Sequence, residues 1–322
     1  MKAWRCAKAG GTEDLALVDV PDPVPGKDEV LVRLAAGALN FSDLLMVSGT
    51  YQVRPTPPFV PGQEIAGVVA EDAGPFRKGE RIASKVLWGG FAEVVAVRQD
   101  MAIRLPAQVS FSEGASLPVV WPTAWIALHD RARVRPGETV LVHAGAGGVG
   151  AAAVQLACAA GARVVATAGG ADKVALCRDL GAEAAYDYRA GPWLEAFLAH
   201  TGGRGADVIV DPVGGEVADL SMKALARNGR FLIVGFSSGT IPAIRANRLL
   251  LKNASALGVY WSHDRDGPLI ERAIAEILAL KAQGSVRFLA GREYAFADLP
   301  LALKELADRH SVGKSILRME TA

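Results

Sequence analysis

The sequence predicts an α/β protein in which a doubly wound parallel sheet is inserted into a β-rich domain. Three observations predict it. A glycine-rich loop separates a strand pattern from a helix pattern within 139–160. Strand and helix patterns alternate from 119 to 259. Before 119 the chain reads as short strands broken by turn signals.

In the first part, apolar runs at 30–34, 67–69 and 91–97 are short and bounded by turn residues, as strands are. Prolines cluster at 21–25 and 55–61 and argue for turns and extended connections. In the second part, a strand at 139–143 leads into a helix reaching 160, a strand at 163–167 and a helix at 171–180. A strand at 208–211, a helix near 216–227 and a strand at 230–235 follow. After 260 come an amphipathic helix at 268–283, another near 298–309 and a strand at 314–317. These are too few for a domain of their own. The chain is therefore expected to return to the first domain, giving 1–118 with 260–322, and 119–259 as the insertion.

At 322 residues there is room for two cores. A composition of 51% hydrophobic and 21% charged residues is that of a globular protein. The net charge of +1 gives no electrostatic footprint for nucleic acid, and the lack of interleaved aromatic and basic residues argues against it as well. Met1-Lys2-Ala3-Trp4-Arg5 lacks the apolar core of a secretion signal. No apolar run approaches the ~18 residues of a membrane span. Cys6, Cys158 and Cys177 fit no ligand or redox spacing, so free thiols and a cytoplasmic setting are expected.

Gly145, Gly147 and Gly150 form G-x-G-x-x-G, enclosing Gly148 and Val149, in the strand-to-helix context where that pattern has physical meaning. The first glycine allows a tight turn, the second lets backbone approach a pyrophosphate, and the third lets helix and strand pack closely. The helix N-terminus offers free N–H groups and partial positive charge to the phosphates. A dinucleotide ligand follows. An NAD-binding fold carries an acid near the end of its second strand. Here that strand ends Thr167-Ala168-Gly169-Gly170, and Asp172 reads as the N-cap of the next helix. The missing acid and the nearby Lys173 favour a 2′-phosphate, hence NADPH.

Several stretches carry a family likeness. They are Asn40-Phe41-Ser42-Asp43, 61–69, Leu117-Pro118, 142–150, Thr167-Ala168-Gly169, Asp187-Tyr188-Arg189, 211–215, Val234-Gly235-Phe236 and Gly313-Lys314. In order and spacing the chain resembles the zinc-independent, zeta-crystallin-like quinone oxidoreductase branch of the medium-chain dehydrogenase/reductase family. The resemblance implies a GroES-like β-rich domain with a Rossmann domain inserted before the C-terminal segment. Zinc members of that family place a cysteine at the head of C-x-x-D and a histidine in G-H-E-x-x-G. Asn40 and Gln63 stand at those places, and neutral amides are poor zinc ligands. The structural zinc loop is also missing around 84–95. No metal site is expected.

The resemblance also implies site residues. Tyr188 would join Lys173 around the 2′-phosphate, with Gly169 beneath the adenosine ribose. Val234, Gly235, Phe236, Ser237, Val259, Tyr260, Trp261 and Arg309 would line the cofactor. Asn40, Asp43 and Tyr51 would stand near the reacting acceptor, Tyr51 as hydroxyl donor and Asp43 as an orienting acceptor or cap. Gln63 and Thr123 would contact the acceptor or the nicotinamide amide. Glu64 reads as structural, and His143 as strand-end packing.

Without a Lewis acid to polarise an alcohol, the favoured partner is a small electron-poor acceptor, a quinone or a carbonyl-conjugated alkene. A 2-enoyl thioester of CoA or a carrier protein is the rival substrate, for which Arg54, Arg245, Arg248, Lys252 and Arg265 offer cations. A non-catalytic, crystallin-like NADPH- or RNA-binding protein is the rival of another class. Relatives pair through the edge of the Rossmann sheet, which implies a homodimer or homotetramer joined at 230–234 or 256–260.

Overall fold

The computed structural model describes residues 1–319. The chain divides into two units, Met1–Val119 with the segment from Phe288 onward, and Val120–Arg287. The return lies at 288 rather than the expected 260. The helix His263–Ala282 buries Ile270, Ala273, Ile274 and Ile277 and packs against the helix Val120–Trp125, so it belongs to the inserted unit.

The inserted unit holds six strands, all parallel. Their order is Ala184–Asp187, Arg163–Ala168, Thr139–Val142, Ala206–Asp211, Leu225–Ile233, Ser255–Gly258. Strand order reverses between Thr139–Val142 and Ala206–Asp211, and ligands of such sheets bind beyond the carboxyl ends at this switch point. All four residues of Thr139–Val142 are buried, as in a strand covered on both faces. The helix Gly148–Ala159 is buried at every position from 150 to 157, and its alanines let it lie close to its neighbours.

Three expectations change here. The helix expected at 216–227 is Gly215–Ala224, because Leu225 is already extended (φ −69°, ψ 133°) and pairs with Ala206. The strand at 230–235 is part of Leu225–Ile233, an inner strand; the sheet's edges are Ala184–Asp187 and Ser255–Gly258, and 230–234 cannot serve as one. Gly170 (φ 98°) occupies the N-cap assigned to Asp172, which sits in the first helical turn.

In the other unit the main sheet runs Ala290–Ala295, Lys314–Arg318, Glu29–Ala38, Glu64–Val69, Arg81–Lys85, Ala102–Arg104. Val94–Arg98 also pairs with Glu29–Ala38, and Lys2–Cys6 forms a separate pair with Leu15–Asp19. Alternate residues Val30, Val32 and Leu34 enter the core with Ile65, Phe91 and Leu317. Lys314–Arg318 runs antiparallel to Glu29–Ala38, with Ile316 opposite Ala38 and Leu317 opposite Gly37. Continued toward the start of the last strand, that register sets Lys314 opposite Asn40. Across the same strand, Glu64 stands opposite Ala38. Sheet register thus delivers a lysine, a glutamate and an asparagine to one place. Among the described residues, no helix is long and apolar enough to cross a membrane.

Candidate active site

The glycine loop begins at His143, directly after Thr139–Val142, its backbone N–H donating to Val210 O at 3.0 Å. The sequence assigns the tight turn to Gly145, but the left-handed residue is Ala144 (φ 51°). Gly145 is required for space instead: a Cβ there would lie 2.9 Å from Ala166 Cβ and from Cys177 Sγ. A Cβ at Gly150 would lie 2.1 Å from Ala144 O, so helix and turn meet backbone to backbone, as expected of the third glycine. Gly147 caps the helix, and a Cβ there would meet Ala144 O at 3.3 Å, a tighter contact than most but far from the clash at Gly150. The N–H groups of Gly148 and Val149 lie in the first turn, where no partner exists within the helix.

His143 lies under this loop and is 1% exposed. Ser221 Oγ donates to Val217 O at 2.7 Å, so it accepts from His143 Nε2 at 2.8 Å. Nδ1 then accepts from the Thr167 hydroxyl, also at 2.8 Å. Burial lowers the imidazole pKa to about 3, so the ring is a neutral packing group, as its strand-end position suggested.

At the end of Arg163–Ala168, a Cβ on Gly169 would lie 2.6 Å from the Tyr188 hydroxyl and 2.9 Å from Arg189 Nε. Lys173 is half-buried there, and burial together with Arg189 lowers its pKa. Lys173, Tyr188 and Arg189 therefore gather at the place where the sequence shows no acid. Arg189 received no role from the sequence, and its only signal is its position directly after Tyr188. Asp187 is close by, but it accepts backbone N–H bonds from Gly170 and from Arg189 (2.8 Å), which hold its carboxyl low. It fastens the loop. Two cations and a hydroxyl suit a phosphate.

The remaining cofactor candidates of this unit also follow carboxyl ends of strands. Val234 N–H donates to Asp211 O at 3.0 Å and Ser237 N–H to Pro212 O at 3.0 Å, which folds 234–237 over the switch point, with Gly235 and Phe236 between them. Val259 N–H donates to Ile233 O at 3.0 Å. Tyr260 is 74% exposed, whereas Trp261 is buried and its indole N–H donates to the Thr123 hydroxyl at 2.9 Å. Arg309 is exposed, at φ 60°, and belongs to the other unit.

In that unit, Asn40 precedes the helix Phe41–Val47 and is 8% exposed. Its Oδ1 accepts from Lys314 Nζ at 2.6 Å, and its Nδ2 donates to Glu64 Oε2 at 2.8 Å. Lys314 also donates to Leu39 O at 2.8 Å and pairs with Glu64 at 2.5 Å. Glu64 Oε1 accepts from Val119 N–H at 2.6 Å, so the structural role expected of it is the one seen. Asp43 caps the helix, its Oδ2 accepting from Asn40 N–H at 2.8 Å. Burial drives its carboxyl up to about 7. Gln63 Oε1 accepts from the Ser42 hydroxyl. Tyr51 follows the helix, its N–H donating to Leu45 O at 3.0 Å and its ring partly packed on the core. Asn40, Asp43 and Gln63 are thus brought together, with Glu64 and Lys314 as the members the sequence did not place among the site residues.

These residues do not suit zinc. Both polar atoms of the Asn40 amide are engaged by Lys314 and Glu64, and the Gln63 oxygen by Ser42. Among the described residues, no cluster of three His, Cys, Asp or Glu side chains could hold a metal ion.

Residues 26–107 match the alcohol dehydrogenase GroES-like domain, and residues 148–277 the family described as zinc-binding dehydrogenase. Quinone oxidoreductase-like protein 2 of Bos taurus is 36% identical over 306 residues, 93% of this chain and 87% of that protein. The quinone oxidoreductase of Thermus thermophilus, solved also in complex with NADPH, is 39% identical with a TM-score of 0.85, covering 99% of this chain and 100% of that one. CurK enoyl reductase is 26% identical with a TM-score of 0.88, covering 99% of each chain. The chain belongs to the medium-chain dehydrogenase/reductase family, in its zinc-independent quinone oxidoreductase branch. It is an oxidoreductase with a GroES-like domain and a Rossmann-type parallel sheet.

Proposed function

We propose that the protein is an NADPH-dependent, metal-free reductase that transfers hydride to a quinone or an α,β-unsaturated carbonyl compound. The observation that carries this reading is the convergence of Lys173, Tyr188 and Arg189 at the end of the second Rossmann strand, beside a complete glycine loop. Such a group selects a 2′-phosphate, and the relative from Thermus thermophilus carries NADPH.

When bound, NADPH supplies the hydride. The chain's residues do the rest. Gly147, Gly148 and Val149 present backbone to the pyrophosphate. The cluster of Lys173, Tyr188 and Arg189 holds the 2′-phosphate, and 234–237 with 259–261 orient the nicotinamide. Negative charge then develops on the acceptor's carbonyl oxygen, and the donors we assign to it are the second Nδ2–H of Asn40 and the Tyr51 hydroxyl. Asp43, capping the Asn40 backbone, keeps the first of these in place.

The enoyl thioester reading draws on the likeness to CurK enoyl reductase. Against it, Lys252, one of the cations a CoA would use, donates to the carbonyls of Lys223 and Leu225. We assign the protein to the cytoplasm on its three free thiols. We also propose a homodimer joined along Ser255–Gly258, whose neighbours Leu250, Leu251 and Tyr260 are 76%, 77% and 74% exposed. A monomer by sedimentation at micromolar concentration would exclude it.

The deciding assay follows NADPH oxidation without added metal against a 1,4-quinone, a simple enone and a short 2-enoyl-CoA. Turnover of the first two with little of the third supports the proposal. Efficient thioester reduction with a weak quinone rate overturns it. Tight NADPH binding without any turnover would mark a non-catalytic protein.

A further inference from the structure

We propose that Lys314 and Glu64 act as positioning residues that lock the Asn40 side-chain amide in one orientation, so that its second N–H is held ready to donate to the acceptor's oxygen. This inference rests on the reading that Asn40 touches the acceptor.

An amide can turn by half a rotation about its last bond, exchanging oxygen and nitrogen with almost no change in shape. Here the two ends meet opposite charges. The ammonium of Lys314 lies 2.6 Å from Oδ1, and the carboxylate of Glu64 lies 2.8 Å from Nδ2. The reversed amide would set NH₂ against an ammonium and a carbonyl oxygen against a carboxylate. Both contacts would be repulsive, in a place where Glu64 is fully buried and Lys314 is 5% exposed. The charged pair is complete without Asn40's second N–H. Lys314 directs its three donors to Leu39 O, Asn40 Oδ1 and Glu64, while Glu64 takes Val119 N–H, Asn40 Nδ2 and Lys314. Glu64 takes one amide proton; the other has no further hydrogen bond of good geometry among the described residues, Asp43 being the carboxyl it interacts with. A donor fixed in advance needs no reorganisation when charge develops, which is how a single hydrogen bond gains catalytic weight.

The test compares Asn40→Ala, the double variant Glu64→Gln with Lys314→Met, and the triple variant. The double variant removes both charges together, which spares the fold the unpaired buried charge that a single change leaves. Readouts are kcat and KM for the acceptor, the NADPH dissociation constant and Tm. The lock predicts that kcat falls on the order of a hundredfold in both Asn40→Ala and the double variant. KM and NADPH affinity should stay near wild type, and the triple variant should be no slower than Asn40→Ala. Lys314→Arg, which keeps a cation able to reach Oδ1, should recover much of kcat, and it serves if the double variant does not fold. A double variant that folds and keeps wild-type kcat, while Asn40→Ala loses it, overturns the lock alone. Failure of Lys314→Arg to exceed the Asn40→Ala rate, with the fold intact, also overturns it. Wild-type turnover in Asn40→Ala removes the acceptor-donor reading of Asn40, and the lock with it.

Discussion

The ammonium of Lys314 donates to the side-chain oxygen of Asn40 at 2.6 Å across 274 residues of chain. The bond exists because the last strand pairs antiparallel with Glu29–Ala38 up to Ile316 opposite Ala38, and the same register continued past the strand's end reaches these two residues. Among the described residues, Lys314 is the cation paired with the buried carboxylate of Glu64. Lys314→Met is therefore expected to destabilise the protein by about 3–5 kcal/mol, the cost of stranding a buried charge. Urea denaturation measures it, and a change below ~1 kcal/mol would contradict the pairing.

Asp43 predicts a pH dependence. Its carboxyl is fully buried, its Oδ1 has no hydrogen-bond partner among the described residues, and burial lifts its pKa from 3.8 to about 7. Glu64 reinforces the rise, while the Asn40 N–H, Lys314 and the Asn40 side chain oppose it. Between those two pKa values the unfolded chain is ionised while the folded chain holds its proton. The stability linked to this proton is full below about pH 4, declines as pH rises, and is lost above about pH 7. Asp43→Asn is uncharged throughout. The Tm of the wild type should thus fall relative to that of Asp43→Asn as pH is raised, and parallel Tm curves would refute the assignment.

Arg189 predicts a change in cofactor preference. Its guanidinium lies with Lys173 and Tyr188 and, on our reading, contacts only the 2′-phosphate. Arg189→Met should weaken NADPH binding by roughly tenfold or more, the worth of a charge-assisted hydrogen bond, and leave NADH binding unchanged. Fluorescence titration with both cofactors decides, and equal losses for the two would place Arg189 elsewhere.

The glycine loop predicts a contrast within one motif. Gly150→Ala forces a methyl group to within 2.1 Å of Ala144 O, so the helix must shift, lowering Tm and abolishing NADPH binding. Gly147→Ala meets the same oxygen at 3.3 Å and should fold with near-native Tm, its loss confined to cofactor affinity. Similar Tm values for the two variants would show that the close approach at Gly150 is not what makes glycine necessary.

Much of this was legible in the chain because local chemistry imposed it. The glycine loop had to be glycine where backbone meets backbone, and the all-buried Thr139–Val142 had to be apolar nearly throughout. What stayed hidden depended on partners distant in sequence. Lys314 reads as an ordinary lysine until the register sets it beside Asn40. Arg189 gains its role only because its strand ends next to Gly169. The helix His263–Ala282 shows one apolar face, and no periodicity says which unit covers it. Strand order is equally silent in sequence, so Leu225–Ile233 could be taken for an edge. Ala144 in the left-handed turn went unseen because a glycine stands next to it.

The excursion of the chain through the inserted unit also sets an order in time. Synthesis from the N-terminus delivers Asn40 and Glu64 long before Lys314, and the whole of Val120–Arg287 emerges in between. Until the final strand docks, the nascent first unit carries a buried-to-be carboxylate with no cation to meet it. A product truncated after Arg287 would hold every residue of the Val120–Arg287 unit, while the other unit lacked the strands Ala290–Ala295 and Lys314–Arg318 and the charge of Lys314. Such a fragment would sequester cofactor without turning it over, and its first unit would be the part exposed to chaperones and proteases.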